Sequence, residues 1–524
     1  MLVIKDKFTV NDATIQHVVK IPTIVPLVHL KGAGVQEEKI ISNGINSCYI
    51  ICTILFPFIA YSSTYCVLFV LQKKPAHTAR FVATETLCNL FQSRSSVKIL
   101  FNKNTKKYNL PSKERNLAMN LIYGVLRQRQ FLDYLLQERS KTPIRKLHPF
   151  VHQSLAVGLY QIFFLDGIPH SAAVNEAVNS CKIKGVPKRL HGFVNGVLRE
   201  TIRRKENKSL TEIAPMEQDD HPVYNHPHWL VSRWIKHFGR EETARICVEN
   251  SKEPLLTLRV NSGRISKANL CRQLEQHKIN HQPGRYAPDS IVLPDYHGSI
   301  QSIPGYEQGF FQIQDEAAQL ATLLLGPFRH EGIYLDGCAG LGGKTNHLLQ
   351  LGVRRNLKIY AVEPGRSRLQ KLRENQNRLF PESNLSIYEG SLQDFGVKCT
   401  TQFDGILIDA PCSGTGVIGR HPDIRWNRKE QDLQRYQKEQ LKLLDQAQPL
   451  LGPKGVLVYA TCSLEPEENQ NVIHTFLSTH PDLTLTNCAE QLPKAAHQFI
   501  KDKFFCPHPS PTIDGFFAAR MEQT

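Results

Sequence analysis

The sequence lacks the short motifs that would assign it to a metal or redox class. Its 13 cysteines contain no Cys-x-x-Cys pair, and its 21 histidines contain no His-Glu-x-x-His pattern. A zinc ribbon, a dithiol redox site and a zinc protease therefore have no support. Dispersed cysteines in a long chain are typical of a reducing compartment rather than of a disulfide scaffold. We expect a cytoplasmic protein with no metal site.

Negative charge is also scarce. The chain of 524 residues has 48 Asp and Glu against 64 Lys and Arg, a formal net charge of +16. Such an excess favours an anionic partner, most often nucleic acid, over general solubility charge. The length predicts more than one domain, since domains usually have roughly 100 to 200 residues.

One long segment has no charged residue at all, from Ile40 to Gln72. It has the length of a membrane span of about 20 residues, and Lys73 and Lys74 after it would favour a cytoplasmic remainder. The run lies too far from Met1 for a signal peptide. A membrane anchor, a buried segment and a dispensable leader are the open alternatives. We favour a leader of residues 1–75, without an obligate membrane partner, and expect a chain starting near Lys74 to be soluble and active.

Residues 76–205 have helical periodicity, punctuated by Pro169 and Pro187. Basic residues gather between the apolar positions, which fits either a bundle with a solvated face or an RNA-binding bundle. The apolar positions are Leu155, Leu159, Ile162, Phe163, Val174, Ala177, Val178, Cys181, Leu190, Phe193, Val194, Val197 and Leu198. The basic ones are Lys182, Lys184, Lys188, Arg189, Arg199, Arg203, Arg204 and Lys205.

The remaining chain divides into a linker and two further domains. Residues 206–224 are polar and contain prolines, which indicates a linker. Residues 225–310 predict a small α+β module, with strands in "LLTLRVNSGRI" and "SIVLPD" and a helix in "KANLCRQLEQHKI". Strands and helices alternate in residues 311–522, which predicts a doubly wound, Rossmann-like sheet with its ligands at the carboxyl ends of the strands.

A glycine-rich turn, "GCAGLGGKT", follows the first strand of this last domain. It is not a phosphate-binding P-loop, because Cys338 replaces the first glycine, and not a dinucleotide motif, because Thr345 replaces the last one. Asp336 ends the strand before the turn, and Glu363 ends the next strand, where an acid can accept hydrogen bonds from a ribose diol. The pattern favours an adenosine cofactor over a purely structural turn.

Two cysteines follow the ends of two other predicted strands: Cys412 in "LIDAPCSGTG" and Cys462 in "VYATCSLEPEEN". In a doubly wound sheet both border the cofactor crevice. Beside an adenosine site in a basic chain, they suggest chemistry on a nucleobase. A thiolate that adds to carbon 6 of cytosine activates carbon 5 to take a methyl group from S-adenosylmethionine, which is covalent catalysis.

Four stretches, "DAPCSGTGVIGRHPDIRW", "VYATCSLEPEEN", "GFFQIQDEAAQLA" and "DGFF", closely resemble RNA cytosine-5 methyltransferases of the Sun/Fmu type. The resemblance covers roughly residues 76–521 and is strongest to the branch that modifies 16S ribosomal RNA. It identifies residues 76–205, with "GLYQIFF" and "FVNGVLR", as a NusB-like RNA-binding bundle. It implies S-adenosyl-L-methionine as cofactor, small-subunit ribosomal RNA rather than DNA as partner, and a monomer.

The same resemblance implies a role for individual residues. Cys462 is the expected nucleophile, and Cys412 is expected to help release the methylated base. Asp409 is expected to hydrogen-bond the cytosine ring near the cofactor, and Lys344 to contact the base or the methionine end of the cofactor. Glu363 corresponds to the ribose-binding acid. The expected cofactor loop is Cys338, Ala339, Gly340, Leu341, Gly342, Gly343 and Lys344.

The chain departs from the family pattern at two places. The loop reads "CAGLGGKT" instead of CAAPGGKT, and without the proline we expect it to be less rigid. Ser391 replaces an acid expected near the adenine, where Asp394 could substitute. We further predict an RNA footprint that includes the basic bundle and the residues after the DAPC motif, namely Arg420, His421, Arg425 and Arg428.

Three alternatives explain less of the sequence. A catalytically silent RNA-binding assembly protein would not need both thiols, and a nicotinamide oxidoreductase would explain Glu363 but neither cysteine motif. DNA cytosine-5 methyltransferases have a Pro-Cys-Gln nucleophile motif, which is absent here. A related activity on another RNA, such as tRNA, stays open.

Overall fold

The computed structural model describes residues 77–93, 95–140, 142–207 and 224–524, and the backbone of short strands before them. The chain divides into two compact units, Met1–Thr78 and Ala79–Thr524. The predicted linker falls mostly on residues 208–223, which lie outside the described residues.

The described strands of the first unit are short and pair antiparallel. β1–β2 form one pair, and β3–β4–β5 form one sheet in that order. β4 and β5 lie inside the uncharged run, where the chain is therefore extended in these two stretches. Within the described residues, no helix has both the length and the apolar character that crossing a membrane requires. The strands are β1 (Thr9–Val10), β2 (Ala13–Thr14), β3 (Glu37–Ile40), β4 (Cys48–Thr53) and β5 (Cys66–Leu71).

The second unit begins with a helical bundle, as the periodicity predicts. Helix α5 is apolar on nearly every side, because α1, α3, α4, α6 and α7 pack around it. Leu155, Leu159 and Leu198 are completely buried in this core. The helices are α1 (Ala79–Gln92), α2 (Val97–Lys107), α3 (Ser112–Arg127), α4 (Arg129–Arg139), α5 (Pro149–Phe164), α6 (His170–Lys184) and α7 (Lys188–Asn207).

A small α+β module follows, and its antiparallel sheet has the order β7-β8-β6-β9. β9 pairs with β6, so the strand that starts at Phe311 belongs to this sheet. Two helices at the start of the module, α8 and α9, had not been predicted. The elements are α8 (His228–Phe238), α9 (Arg240–Ser251), β6 (Leu256–Val260), α10 (Lys267–Gln276), β7 (Gln282–Pro283), β8 (Ser290–Leu293) and β9 (Phe311–Ile313).

The last domain contains the predicted doubly wound sheet. Its strands run β12-β11-β10-β13-β14-β18, and the first five are parallel. β18 and β15 add antiparallel pairs at the other side, followed by the short β17 and β16. The strands are β10 (Ile333–Asp336), β11 (Lys358–Glu363), β12 (Leu385–Glu389), β13 (Phe403–Asp409), β14 (Leu451–Thr461), β15 (Leu483–Thr486), β16 (Ile500–Lys501), β17 (Phe504–Phe505) and β18 (Phe517–Gln523).

Helices cover both faces of this sheet. Along β13, Leu407 contributes to one core and its neighbours Ile406 and Ile408 to the other, because successive side chains of a strand point to opposite faces. The chain order reverses between β10 and β13, so the ligand crevice of the fold lies where these two strands end. The helices are α11 (Glu316–Leu323), α12 (Gly343–Gly352), α13 (Arg366–Leu379), α14 (Leu392–Lys398), α15 (Ile424–Asn427), α16 (Asp432–Ala447) and α17 (Gln470–Thr479).

Candidate active site

The two cysteine motifs meet at the carboxyl edge of the sheet. β13 and β14 are adjacent and parallel, with Asp409 opposite Ala460, so the segments that follow them emerge side by side. The sulfur atoms of Cys412 and Cys462 are 3.3 Å apart, and both residues are partly exposed. The fold therefore brings two thiols from distant parts of the sequence into one site.

Backbone contacts hold the two segments together. The Gly416 N–H donates to the carbonyl of Cys462 over 2.9 Å, and the Gly515 N–H donates to the carbonyl of Gly416 over 2.9 Å. A Cβ atom at Gly416 would lie 2.2 Å from the Gly515 oxygen. Only glycine permits this approach, which links the DAPC, TCS and DGFF motifs at one point.

The environment of Cys412 favours its protonated thiol. The hydrogen bond with Cys462 and, after it, burial raise the pKa of Cys412 well above its usual range. Burial likewise raises the pKa of Cys338, the third cysteine at a strand end. A thiol with a raised pKa is mostly protonated at neutral pH, which disfavours Cys338 and Cys412 as nucleophiles.

An ion pair lies beside the cysteine pair. Lys344 Nζ is 2.6 Å from Asp409 Oδ2, and the lysine side chain is nearly buried. The same ammonium group lies 5.2 Å from the ring centre of Phe516, within cation–π range. Phe516 belongs to the DGFF motif, and the sequence alone gives no role to this ring. The contact gives that motif a direct place in the site.

The glycine loop, residues 337–343, is organised by two buried carboxylates. Asp336 accepts hydrogen bonds from the Cys338 N–H at 3.3 Å and the Thr345 hydroxyl at 2.6 Å. Glu363 accepts from the Gly340 N–H at 3.0 Å and also pairs with Arg368 at 3.0 Å. Burial raises the pKa of Asp336 to about 6. Both strand-end acids thus fix the loop backbone.

The loop has room for a cofactor on its outer side. Gly340 has φ +57°, and a Cβ atom built there would meet only the Cys338 oxygen, at 3.9 Å. Gly342 has φ +83° just before α12 begins. A bare backbone beside open space, next to Glu363 and Asp409, fits an adenosine-type cofactor at the switch point of the sheet.

Ser391 and Asp394 contact each other at the start of α14. The Ser391 hydroxyl donates to Asp394 Oδ2 at 2.6 Å and accepts from the Asp394 N–H at 3.1 Å. The serine is therefore an N-cap. Its contact with the cofactor, or that of Asp394, stays a prediction.

The predicted RNA footprint after the DAPC motif is wrong for Arg425. This guanidinium is completely buried, and it donates to the carbonyls of Asn225 and Asn250, each at 2.7 Å. Arg420 is largely neutralised by Asp315 at 3.0 Å and Asp514 at 2.6 Å. Both arginines instead join the DAPC segment to neighbouring elements.

The basic residues of the bundle remain available to a polyanion. Lys182, Lys188, Arg189, Arg199, Arg203 and Arg204 are exposed. Some of this charge is compensated, since Arg203 and Arg204 both pair with Glu200. The exposed cations on α6 and α7 fit the RNA-binding interpretation of this bundle.

Comparison with known families assigns most of the chain. The NusB family matches residues 77–203. A ferredoxin-like domain of RsmF/B-like methyltransferases matches residues 226–298, and the 16S rRNA methyltransferase RsmB/F family matches residues 322–522. The fold and the strand-end site therefore define a Rossmann-like methyltransferase with a NusB-like helical domain in front.

Similar proteins extend over nearly the whole length. The probable ribosomal RNA small subunit methyltransferase B of Bacillus subtilis (strain 168) is 34% identical over 453 residues, which is 85% of this chain and 99% of that protein. The ribosomal RNA small subunit methyltransferase B of Yersinia pestis bv. Antiqua (strain Angola) is 34% identical over 450 residues, 86% of this chain and 99% of its own. The chain belongs to the 16S rRNA methyltransferase RsmB/F family.

A solved structure has the same fold. The crystal structure of PH0851 superposes with a TM-score of 0.68 at 21% identity, over 86% of this chain and all of that one. The expected family and fold class are thus confirmed.

Proposed function

We propose that this protein transfers a methyl group from S-adenosylmethionine to carbon 5 of a cytosine in small-subunit ribosomal RNA. The observation that carries the proposal is the pair of thiols, 3.3 Å apart, at the ends of β13 and β14. They lie in the crevice that the glycine loop borders, in a chain whose relatives are named as ribosomal RNA small subunit methyltransferases. A methyltransferase whose substrate atom is already a good nucleophile would not need two thiols in its active site.

Carbon 5 of cytosine is a poor nucleophile, so the chemistry starts at carbon 6. We assign Cys462 as the group whose thiolate adds there, forming an S–C6 bond and moving electron density to carbon 5. Asp409, held by Lys344, would hydrogen-bond the ring as charge develops on it. Bound S-adenosylmethionine would supply the electrophilic methyl group. Glu363 and the glycine loop would hold its adenosine part.

The reaction ends when the enzyme releases the base. The proton must leave carbon 5, and the S–C6 bond must break to restore the aromatic ring and the Cys462 thiolate. We assign this step to Cys412, because its sulfur lies beside that of Cys462. The hydrogen bond with Cys462 is the largest cause of the raised pKa of Cys412, and the S–C6 bond would use up the Cys462 thiolate. Cys412 would then lose its proton to solvent and accept the one from carbon 5.

The substrate would be recognised by charge and by the helical domain. The exposed cations on α6 and α7 would contact phosphates, since such contacts position RNA without reading its sequence. Small-subunit ribosomal RNA is the substrate class that the names of the relatives indicate.

A methyl transfer assay with tritiated S-adenosylmethionine tests this proposal. Unmodified small-subunit ribosomal RNA should accept label at carbon 5 of cytosine, identified by bisulfite-resistant positions. Label that appears only in tRNA would correct the substrate. If the protein binds RNA but transfers no label to either RNA, the enzymatic proposal is wrong.

A further inference from the structure

A buried carboxylate, that of Glu468, bridges the segments that contain Cys412 and Cys462. Glu468 Oε1 accepts the Ser413 N–H at 2.7 Å and the Gln440 amide at 3.1 Å. Its Oε2 accepts the Ser463 hydroxyl at 2.6 Å and also the Ser413 hydroxyl. Ser413 directly follows Cys412, and Ser463 directly follows Cys462. One side chain therefore bonds to the neighbour of each thiol.

Glu468 is itself held firmly. It is completely buried, and its carbonyl accepts the Tyr459 hydroxyl at 2.6 Å. The next residue, Asn469, accepts the Thr461 hydroxyl at 2.7 Å and donates to the Ser463 carbonyl at 2.9 Å. The segment after the TCS motif thus returns to the end of β14, where it fixes the position of the carboxylate.

The geometry points to Glu468 as a positioning residue that sets the distance between the two thiols. We call Glu468 with Ser413 and Ser463 the carboxylate clamp. The inference rests on the proposed function only in one respect: the distance between the sulfur atoms matters because adduct formation and release need both of them at one base. The hydrogen bonds of the clamp do not depend on that function. Glu468 would act through the two serines and without contact to RNA or cofactor.

The chemistry of the clamp predicts how different substitutions behave. Two of its donors, the Ser413 N–H and the Gln440 amide, both point to Oε1. The other two are hydroxyls, which can rotate to accept a hydrogen bond instead. In Glu468→Gln, the amide oxygen can take the place of Oε1, and the new NH₂ group can donate to the hydroxyls. This substitution should keep the geometry while it removes any charge. Glu468→Ala instead removes every bond to the carboxylate and leaves, within the clamp, only the contact between the Ser413 and Ser463 hydroxyls at 3.1 Å.

The first test compares methyl transfer by Glu468→Gln and Glu468→Ala, with Glu467→Gln as a matched control. Glu467 is the adjacent carboxylate and pairs with Arg233 at 2.6 Å, outside the clamp. We expect kcat to fall about 100-fold in Glu468→Ala, because displacements of about 1 Å have effects of that size. Glu468→Gln should stay within about threefold of the wild type, since its bonds are preserved. KM for RNA should change little in either variant.

The second test needs no activity. The Cys412 and Cys462 thiols can be oxidised to a disulfide by glutathione disulfide, which is reduced to two glutathione molecules, and peptide mass spectrometry measures the equilibrium. The bond requires sulfur atoms about 2 Å apart, so thiols held together oxidise more readily. We expect the equilibrium constant to fall about tenfold in Glu468→Ala, the order of effect for lost hydrogen bonds to a charged group, and to be preserved in Glu468→Gln.

The two tests separate the clamp from the proposed function. A wild-type protein without methyl transfer would refute the function and leave the disulfide equilibrium to decide on the clamp. A Glu468→Ala variant with wild-type equilibrium would refute the clamp. If Glu468→Ala does not fold, Ser463→Ala replaces it, because this change deletes a single hydroxyl. An unchanged equilibrium in folded Ser463→Ala would then refute the clamp, and a decrease would support it.

Discussion

The sulfur atoms of Cys412 and Cys462 lie 3.3 Å apart, although 50 residues separate them in the chain. This proximity follows from topology, because β13 and β14 are neighbouring parallel strands and both motifs emerge at the same edge. It makes the chemical states of the two thiols dependent on each other.

We predict that Cys462→Ala makes Cys412 more reactive toward iodoacetamide at neutral pH. The hydrogen bond with Cys462 is the largest cause of the raised pKa of Cys412, and its removal should lower that pKa. More thiolate is then present at a given pH, so half-maximal alkylation should move to lower pH. Peptide mass spectrometry across a pH series measures this. The same alkylation profile in both proteins would show that the two thiols are independent.

The ion pair of Lys344 and Asp409 predicts non-additive losses. Lys344→Met and Asp409→Asn should each reduce methyl transfer about 100-fold, the lower range for a group positioned in acid–base chemistry. The double variant should lose less than the product, with a coupling of about 1–3 kcal/mol. Lys398→Met, at an exposed lysine of α14, is the control. Strictly additive losses would mean that the pair does not act as a unit.

The open space beside Gly340 predicts that a side chain at this position weakens cofactor binding. Gly340→Ala should cost about 1–2 kcal/mol of stability, because its φ of +57° is unfavourable for alanine. Gly185→Ala is a matched control, since Gly185 has φ +76° and open space beside it, at the end of α6.

Both variants should lose similar stability in urea unfolding, yet only Gly340→Ala should weaken S-adenosylmethionine binding in calorimetric titration, by about tenfold or ~1.4 kcal/mol. Equal cofactor affinity in the two variants would place the cofactor elsewhere.

The burial of Arg425 distinguishes it, as a structural cation, from the exposed cations that could bind RNA. Arg425→Met leaves two buried carbonyls without a donor, so it should cost about 3–5 kcal/mol of stability. Lys188→Gln and Arg189→Gln should instead preserve stability and reduce the slope of log affinity for RNA against log salt, by about 0.7–0.9 per lost phosphate contact. Filter binding between low and moderate salt measures the slope. An unchanged slope in both surface variants would remove α7 from the RNA footprint.

The sequence predicts the strands and motifs of the last domain well, because each apolar run ends at a residue with a recognisable role, such as Asp336 or Asp409. It does not predict the fate of Arg425. A basic residue beside a catalytic motif suggests a nucleic-acid contact, and only the fold shows that two backbone carbonyls surround it. The charge of a residue does not determine whether water or protein solvates it.

Two other features also depend on contacts between distant segments. β9 lies within the stretch "GFFQIQ", which resembles the methyltransferase motifs, but its hydrogen bonds go to β6 of the small module. Glu468 is the third acid of "EPEEN", and an acidic run of this kind usually indicates a solvated turn. The signal that could have singled it out is the serine after each cysteine, since hydroxyls that become buried beside two thiols usually find a hydrogen-bond acceptor within the protein.

The central claim is that Cys462 forms the bond to the base and Cys412 breaks it. The most direct measurement is a denaturing gel of protein incubated with unmodified small-subunit ribosomal RNA and S-adenosylmethionine. Cys412→Ala should accumulate a covalent RNA complex as a shifted band, while Cys462→Ala, the double variant and wild type should show none. Cys271→Ala, at a partly exposed cysteine of α10, should behave like wild type. A stable complex from Cys462→Ala, with none from Cys412→Ala, would contradict the account and reverse the two roles.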